Sequence, residues 1–423
     1  MHKSLKMITA AVVGAVALAA CGGSGASPGS TGGSTGKTLI IGTDFPLQGA
    51  AADETIQVNQ AIELYLEQIG HKVGDYTIEL KKYDDSSAAA GKWDPALCTK
   101  NAADHVANAN EIAVVGAFNS GCSKIEVPIL NQDPNGPMLM VSNSNTNPGL
   151  TKSWDPGEPD KYYPMSKRNY ARVVTTDDNQ GRAAAQFMVH DLGVKKCYVL
   201  NDNDTYGQGV AQAFVTEAAN LQLQILGNEP WDRAQPSYTG LFEKIKALGP
   251  DCIFLGGSFD NNGGQLVRDK VAVLGDNTAV KLMGPDGFTG FTVLDTLPES
   301  QGMYLSFPGL TRAGLTAQGG EAAKLLAAYA AKYGAPPTTS YALYGIAAVQ
   351  VILAAIAKSD GTRKSVTSQL FSGAGVTIPA DVSAIGKAFS IDTASGDVTV
   401  LDTTIEVIKD NAESFVKIWP ITS

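Results

Sequence analysis

In the stretch MLMVSNSNTNPGLT, residues 138–151, four apolar residues run into seven consecutive donors, acceptors or turn formers, from Ser142 to Pro148. Such short hydroxyl and amide side chains suit hydrogen bonding to a small polar molecule. They also make turns, and Ser144 and Thr146 taken alone read as caps of a following helix. Similar polar, glycine-rich stretches recur at FPLQGAAADE (45–54), YDDSS (83–87), AFNSGCS (117–123), NDNDTYGQG (201–209), GGSFDNNGG (256–264) and GPDGF (284–288). Turnover chemistry has no comparable signature. There is no HExxH and no histidine set beside a nucleophile in a Ser-His-Asp arrangement, so no catalytic residue is assigned and the chain reads as a binder, not an enzyme. The four histidines, His2, His71, His105 and His190, are scattered, and no CxxC occurs. Neither a metal site nor a cofactor is expected.

These stretches need elements to present them. Short apolar runs alternate with helical patterns along the whole body. TLIIGTDFPL (38–47), YTIELKKYDD (76–85), IAVVGAF (112–118) and PMLMVS (137–142) form a first set with helices between them. YARVVTT (170–176), KCYVLND (196–202), LQILGNEPW (223–231), CIFLGG (252–257) and VKLMGPD (280–286) form a second. That rhythm implies an α/β fold of two doubly wound parallel-sheet lobes. In open parallel sheets ligands bind beyond the carboxyl ends of strands, and every polar stretch named above falls there. SYALYGIAAVQVILAAIA (340–357) is apolar, but Ser340, Tyr341, Tyr344, Gly345 and Gln350 interrupt it. It reads as a buried helix packed on a sheet, not a membrane span.

The first 20 residues carry Lys3 and Lys6 ahead of an apolar run, which reads as a signal peptide. LAAC (18–21) followed by two glycines resembles a bacterial lipobox, with Cys21 as the lipidated residue. Residues 21–37 are rich in Gly, Ser and Thr and read as a flexible tether to the outer face of the cell membrane. The hydrophobic share of 44% against 17% charged allows a large core. The net charge of −10, without a run of Lys or Arg, argues against nucleic acid. Cys98, Cys122, Cys197 and Cys252 make an even set in an exported chain, which favours disulfides. Cys197 and Cys252 open CYVL and CIFL, strands that a doubly wound sheet would place side by side.

YDD (83–85), GAFNSGCS (116–123), MVSNSNTNPGLT (140–151), YGQG (206–209), MGPDG (283–287) and TSYALYGIAAV (339–349) together resemble the type 1 periplasmic binding proteins of ABC transporters, in particular the leucine/isoleucine/valine-binding group. The resemblance implies two lobes on a multi-strand hinge, with lobe 1 at 38–172 plus 308–386 and lobe 2 at 173–307 plus 387–423. It implies that an amino acid, branched-chain by default, is trapped between them. The family's carboxylate-binding loops correspond here to Phe118 and Ser120, and to Ser144, Asn145 and Thr146. Tyr206 corresponds to its second-lobe aromatic, and Asp286 to the acid that grips the α-ammonium, with Asp where the family has Glu. An aromatic that usually follows two glycines falls at Ser258 or Phe259, with Phe259 assigned to the ligand. A Cys98–Cys122 bridge is implied as well. The implied partners are a small-molecule ligand and a membrane permease that reads the closed monomer. A sensor of the same fold, or a binder of an amide or organic acid, stays open as an alternative.

Overall fold

The computed structural model describes residues 37–419. The expected signal peptide, Cys21 and all of the tether but Lys37 lie outside the described residues. The first sheet has six strands in the order Lys72–Val73, Tyr76–Asp84, Thr38–Phe45, Glu111–Gly116, Leu139–Ser142, Tyr170–Arg172, all parallel except the first pair. The second has seven, Gln224–Pro230, Lys196–Asn201, Cys252–Gly256, Lys281–Gly284, Tyr304–Phe307, Thr403–Lys409 and Ala412–Trp419. Its first five are parallel and the last two join antiparallel. This is the pair of parallel-dominated lobes that the alternation of runs implies.

Local chemistry starts the helices. Asp94 accepts from the Ala96 N–H at 2.9 Å, and Pro95 follows at the first helical position, so Pro95–Ala107 begins there. Asp204 accepts from the Thr205 N–H at 2.9 Å at the head of Thr205–Asn220. Tyr341–Ala357 is buried on nearly every side because it fills the first lobe's core, in contact with the helix Ala52–Gln68. None of the described helices is long and apolar enough to cross a membrane.

The chain crosses between lobes at three places that lie side by side. The Thr175 N–H donates to Pro308 O at 3.0 Å, and Thr404 Oγ1 donates to Gly309 O at 2.6 Å. The third crossing falls later than expected. Phe389, Ile391 and Val398 are buried in the first lobe's core, so the segment after residue 386 stays with lobe 1 until the strand Thr403–Lys409 begins. Both disulfides form: Cys98–Cys122 with Cα atoms 5.6 Å apart, and Cys197–Cys252 between residues directly paired in adjacent parallel strands.

Candidate functional site

The carboxyl ends of both sheets face each other across one cleft. A small cavity of about 30 Å³ there is lined by Phe118, Asn119, Ser120 and Ser144 from the first lobe's loops. Tyr206, Ser258 and Asp286 come from the second lobe, and Tyr341 from the start of the long buried helix. Five residues singled out in the sequence thus meet: Phe118, Ser120, Ser144, Tyr206 and Asp286.

The polar run at 142–148 builds the loop beside it. Ser142 Oγ donates to Ala117 O at 3.0 Å, and the Asn145 amide donates to Ala117 O and Phe118 O at 2.9 and 2.8 Å. Ser144 Oγ donates to Phe118 O at 2.8 Å. Arg172, fully buried, holds the run from below through Asn145 O and Asn147 O, and is itself paired with Asp397 at 2.9 Å. Ser120 begins the helix Ser120–Asn131, and Asn119 before it makes no side-chain cap. Asn119 and Ser120, at the amino end of that helix, line the cavity, which puts the helix's positive dipole end beside it. Ser120 Oγ accepts from the Asn147 N–H at 3.4 Å, which leaves its own proton to donate.

On the opposite wall Asp286 is 6% exposed. Tyr206 donates to one carboxylate oxygen at 2.5 Å, and Tyr341 donates to the other. Burial pushes the Asp286 carboxyl up, and the hydrogen bonds from Tyr206, Tyr341 and Gln180 pull it back. Two further acids share this cleft. Glu54 is pushed up to about 8, chiefly by burial, eased by its bond from Thr339 and raised again by Asp286 and Asp260. Asp177 is fully buried, and burial and the facing Asp286 hold its carboxyl well above the usual range, eased by the nearby Thr146 hydroxyl. Among the described residues no Lys or Arg lines the cavity.

Three expected contacts are placed elsewhere. Phe259 does not face the cavity. Its N–H donates to Gly287 O at 2.8 Å, which turns the ring away to pack on Phe291 at 4.8 Å and on Phe288 at 6.4 Å. Ser258 takes the cavity position instead. Gly287 allows this, because a Cβ there would meet Gly257 O at 2.6 Å and Ser258 Oγ at 2.9 Å. Asn145 spends its amide on the neighbouring loop. Thr146 is buried behind the cavity lining, where its carbonyl accepts from the Asp177 N–H at 2.8 Å. Tyr341 and Asp177 were not singled out in the sequence. Tyr341 reads there as the start of an apolar helix, and the one signal for Asp177 is an acidic pair just past a strand end.

The lobes touch along the cleft. Lys92 pairs with Asp204 at 2.5 Å, Asn147 Nδ2 donates to Thr205 O at 3.1 Å, and Thr338 Oγ1 donates to Gly290 O at 3.1 Å. A site closed from two sides in this way can enclose a small molecule, and the three crossings give it a hinge.

Residues 38–402 match the model of a family described as periplasmic binding protein. The chain belongs to that family. As a periplasmic binding protein it is a substrate-binding component placed outside the cytoplasm. An amino acid binding protein of Pseudomonas aeruginosa is 26% identical over 368 residues, covering 85% of this chain and 84% of that protein. The Leu/Ile/Val-binding protein BraC3 of Rhizobium johnstonii is 26% identical over 365 residues, covering 85% and 89%. A branched-chain amino acid transporter substrate-binding protein of Streptococcus pneumoniae, solved with isoleucine, superposes with a TM-score of 0.72 at 21% identity, over 90% of this chain and all of that one. A solute-binding protein of R. palustris, solved with benzoate, gives 0.73 at 18% identity, over 90% and 96%. At such identities these structures establish the fold alone.

Proposed function

We propose that this chain is the lipid-anchored receptor of an ABC importer, that it traps an α-amino acid between its lobes, and that the closed form hands the ligand to a permease. One observation carries the amino-acid reading. The buried Asp286 carboxylate faces, across one small cavity, the Ser120 and Ser144 hydroxyls and the amino end of a helix. An acid on one wall and anion-accepting donors on the other suit a molecule with an ammonium and a carboxylate on neighbouring atoms. The cluster of Glu54, Asp177 and Asp286, with no Lys or Arg lining the cavity, adds to the preference for an ammonium.

In this reading the ligand docks on the first lobe, its carboxylate taking the free proton of Ser120 and backbone N–H groups at the amino end of the helix Ser120–Asn131. Closure then brings Tyr206 and Asp286 onto the ammonium, with the Tyr hydroxyls swinging aside to make room. Phe118 and Tyr341, 5.4 Å apart and edge to face, would flank the ligand's side chain. The Lys92–Asp204 pair latches the mouth.

The test is thermal unfolding of ligand-stripped protein against the standard amino acids, benzoate and small amides. A ligand at a hundredfold its dissociation constant adds about 2.7 kcal/mol, a clear shift in melting temperature. A shift by an amino acid supports the reading. A shift by benzoate or an amide alone overturns it, and the aromatic lining by Phe118, Tyr206 and Tyr341 makes benzoate the informative control.

A further inference from the structure

The amino ends of the first sheet's strands, opposite the cleft, carry a second and larger cavity of about 660 Å³. It lies between the loop at 132–137, which leads into the strand Leu139–Ser142, the loop at 165–168 before Tyr170–Arg172, and the helix Arg363–Phe371. Three cations line it: Lys167, Arg168 and Lys364. Its one acid, Asp133, is already bonded to the buried Arg363. In a chain with 42 acidic and 32 basic residues, three cations around one cavity with no free acid are a local inversion of charge.

The walls are fixed. Asn131 holds the 165–168 loop by donating to Lys167 O at 2.7 Å and accepting from the Met165 N–H at 2.8 Å. Thr367 Oγ1 donates to Pro137 O at 2.7 Å and ties the helix to the other loop. Gly136, with φ of +107°, lets that loop approach so closely that a Cβ would lie 2.7 Å from Lys364 Cβ. Arg168 lies over the Tyr163 ring at 4.2 Å, and its Nη1 is enclosed with no hydrogen-bond partner. Half-buried at the cavity wall and held in place on a ring face, this guanidinium can turn its remaining donors to an oxyanion. Half-buried Phe371 adds an apolar wall.

The cavity's place in the fold points to the source of that anion. Lys37, the first described residue, donates to Gly361 O at 3.2 Å, three residues before Lys364. The chain thus enters the first lobe on the face that holds the cavity. Cys21, the expected lipid-bearing residue, is 16 residues before Lys37, and an extended chain of that length spans at most about 55 Å. A protein tethered by this segment can rest this face on the bilayer, where phosphate groups are dense.

The geometry points to a phosphate-binding site in this cavity that takes the head of an anionic membrane lipid, with Arg168, Lys167 and Lys364 on the phosphate and Phe371 against the glycerol and first acyl carbons. The lipid source rests on the anchored reading above; the phosphate chemistry does not. Titration calorimetry of the full chain with a water-soluble short-chain phosphatidylglycerol tests it, with short-chain phosphatidylcholine, glycerol phosphate and inorganic phosphate as the other arms. Phosphatidylglycerol is expected to bind, with Lys364→Ala, Lys167→Ala and Arg168→Ala each weakening it about tenfold, as for loss of one charge-assisted hydrogen bond. Phe371→Ala should weaken the lipid and leave glycerol phosphate unchanged. Equal binding of glycerol phosphate and phosphatidylglycerol overturns the lipid assignment, and absence of binding in every arm overturns the site. Lys167 and Lys364 are exposed, so their variants keep the fold, which a melting curve verifies. Asp286→Ala must leave these titrations unchanged, so failure of the cleft reading and failure of this one are separately visible.

Discussion

Replacing Asp286 by Asn separates a binding role from a structural one. In the unliganded protein the carboxyl is buried and accepts from two tyrosine hydroxyls. Asn keeps one acceptor of the same shape and loses a charge whose burial is unfavourable. The loss of one acceptor and the gain from removing the charge offset, so the unliganded melting point should move by no more than about 1 kcal/mol of stability. Binding is different. A ligand ammonium desolvated in the closed cleft would lose its counter-charge, which costs about 3 kcal/mol, where the ranges for charged hydrogen bonds and for broken buried pairs meet. That is a weakening of about a hundredfold in dissociation constant. Calorimetry with the amino acid that shifts the wild type most measures it, and paired melts check the fold. An Asn variant that binds within threefold of wild type removes Asp286 from the ammonium site. A variant that melts far below wild type makes the acid a structural residue.

Stability should fall as pH rises from about 5 to 8. Glu54, pushed up to about 8 against 4.5 when unfolded, keeps its proton in the folded state while the unfolded chain has lost it, so each pH unit in that window removes about 1.4 kcal/mol. His105, raised to about 9 by Asp44 and Glu111 despite its burial, works in the same direction above pH 6.5, and Glu54→Gln should flatten the lower part of the melting-temperature profile. Reduction by a dithiol, or the pair Cys98→Ala with Cys122→Ala, should remove about 3.5 kcal/mol in the chain-entropy model for a loop of 24 residues and weaken the ligand, because Cys122 sits two residues after Ser120. Unchanged affinity there would show that the bridge stabilises without bracing the site. Lys92→Ala deletes a half-screened contact worth about 1 kcal/mol that exists only when the lobes meet, so stopped-flow release should quicken about fivefold with little change in melting point.

Local pattern carried the fold far. Strands alternating with helices imply that the polar loops gather at strand ends, and the family resemblance picks Phe118, Ser120, Ser144, Tyr206 and Asp286 out of those loops; the five line one cavity. Adjacent parallel strands placed Cys197 beside Cys252. What local pattern does not carry is a partner distant in sequence. Arg172 stands in an apolar strand, YARVV, and its buried charge makes sense only with Asp397, 225 residues away. Tyr341 reads as the first turn of a core helix, and only Asp286, 55 residues earlier, gives its hydroxyl a role. Phe259 and Ser258 differ by one position, and a single backbone hydrogen bond to Gly287 decides which of them faces the cleft. The implied boundary at residue 386 falls short of the crossing, because Phe389, Ile391 and Val398 are buried in the first lobe's core, a placement set by partners distant in sequence.

The cleft acids also decide between ligand classes by the direction in which protons move. Burial pushes Glu54, Asp177 and Asp286 toward their neutral forms, the Asp286 charge raises Glu54 and Asp177 further, and Glu54 is mostly protonated at pH 7. An ammonium entering this cluster favours the ionised forms, so binding should release protons, up to about one per site near neutral pH. Affinity should then rise with pH between about 5 and 8, by at most tenfold per unit for one proton. An anion such as benzoate acts the other way: it adds to the repulsion, binding takes up protons, and affinity falls over the same window. Calorimetry in two buffers of different ionisation enthalpy reads the proton count directly. Uptake with an amino acid would mean that its ammonium does not reach these acids, and Asp286 would then have to be seen as a neutral donor facing the ligand's other end.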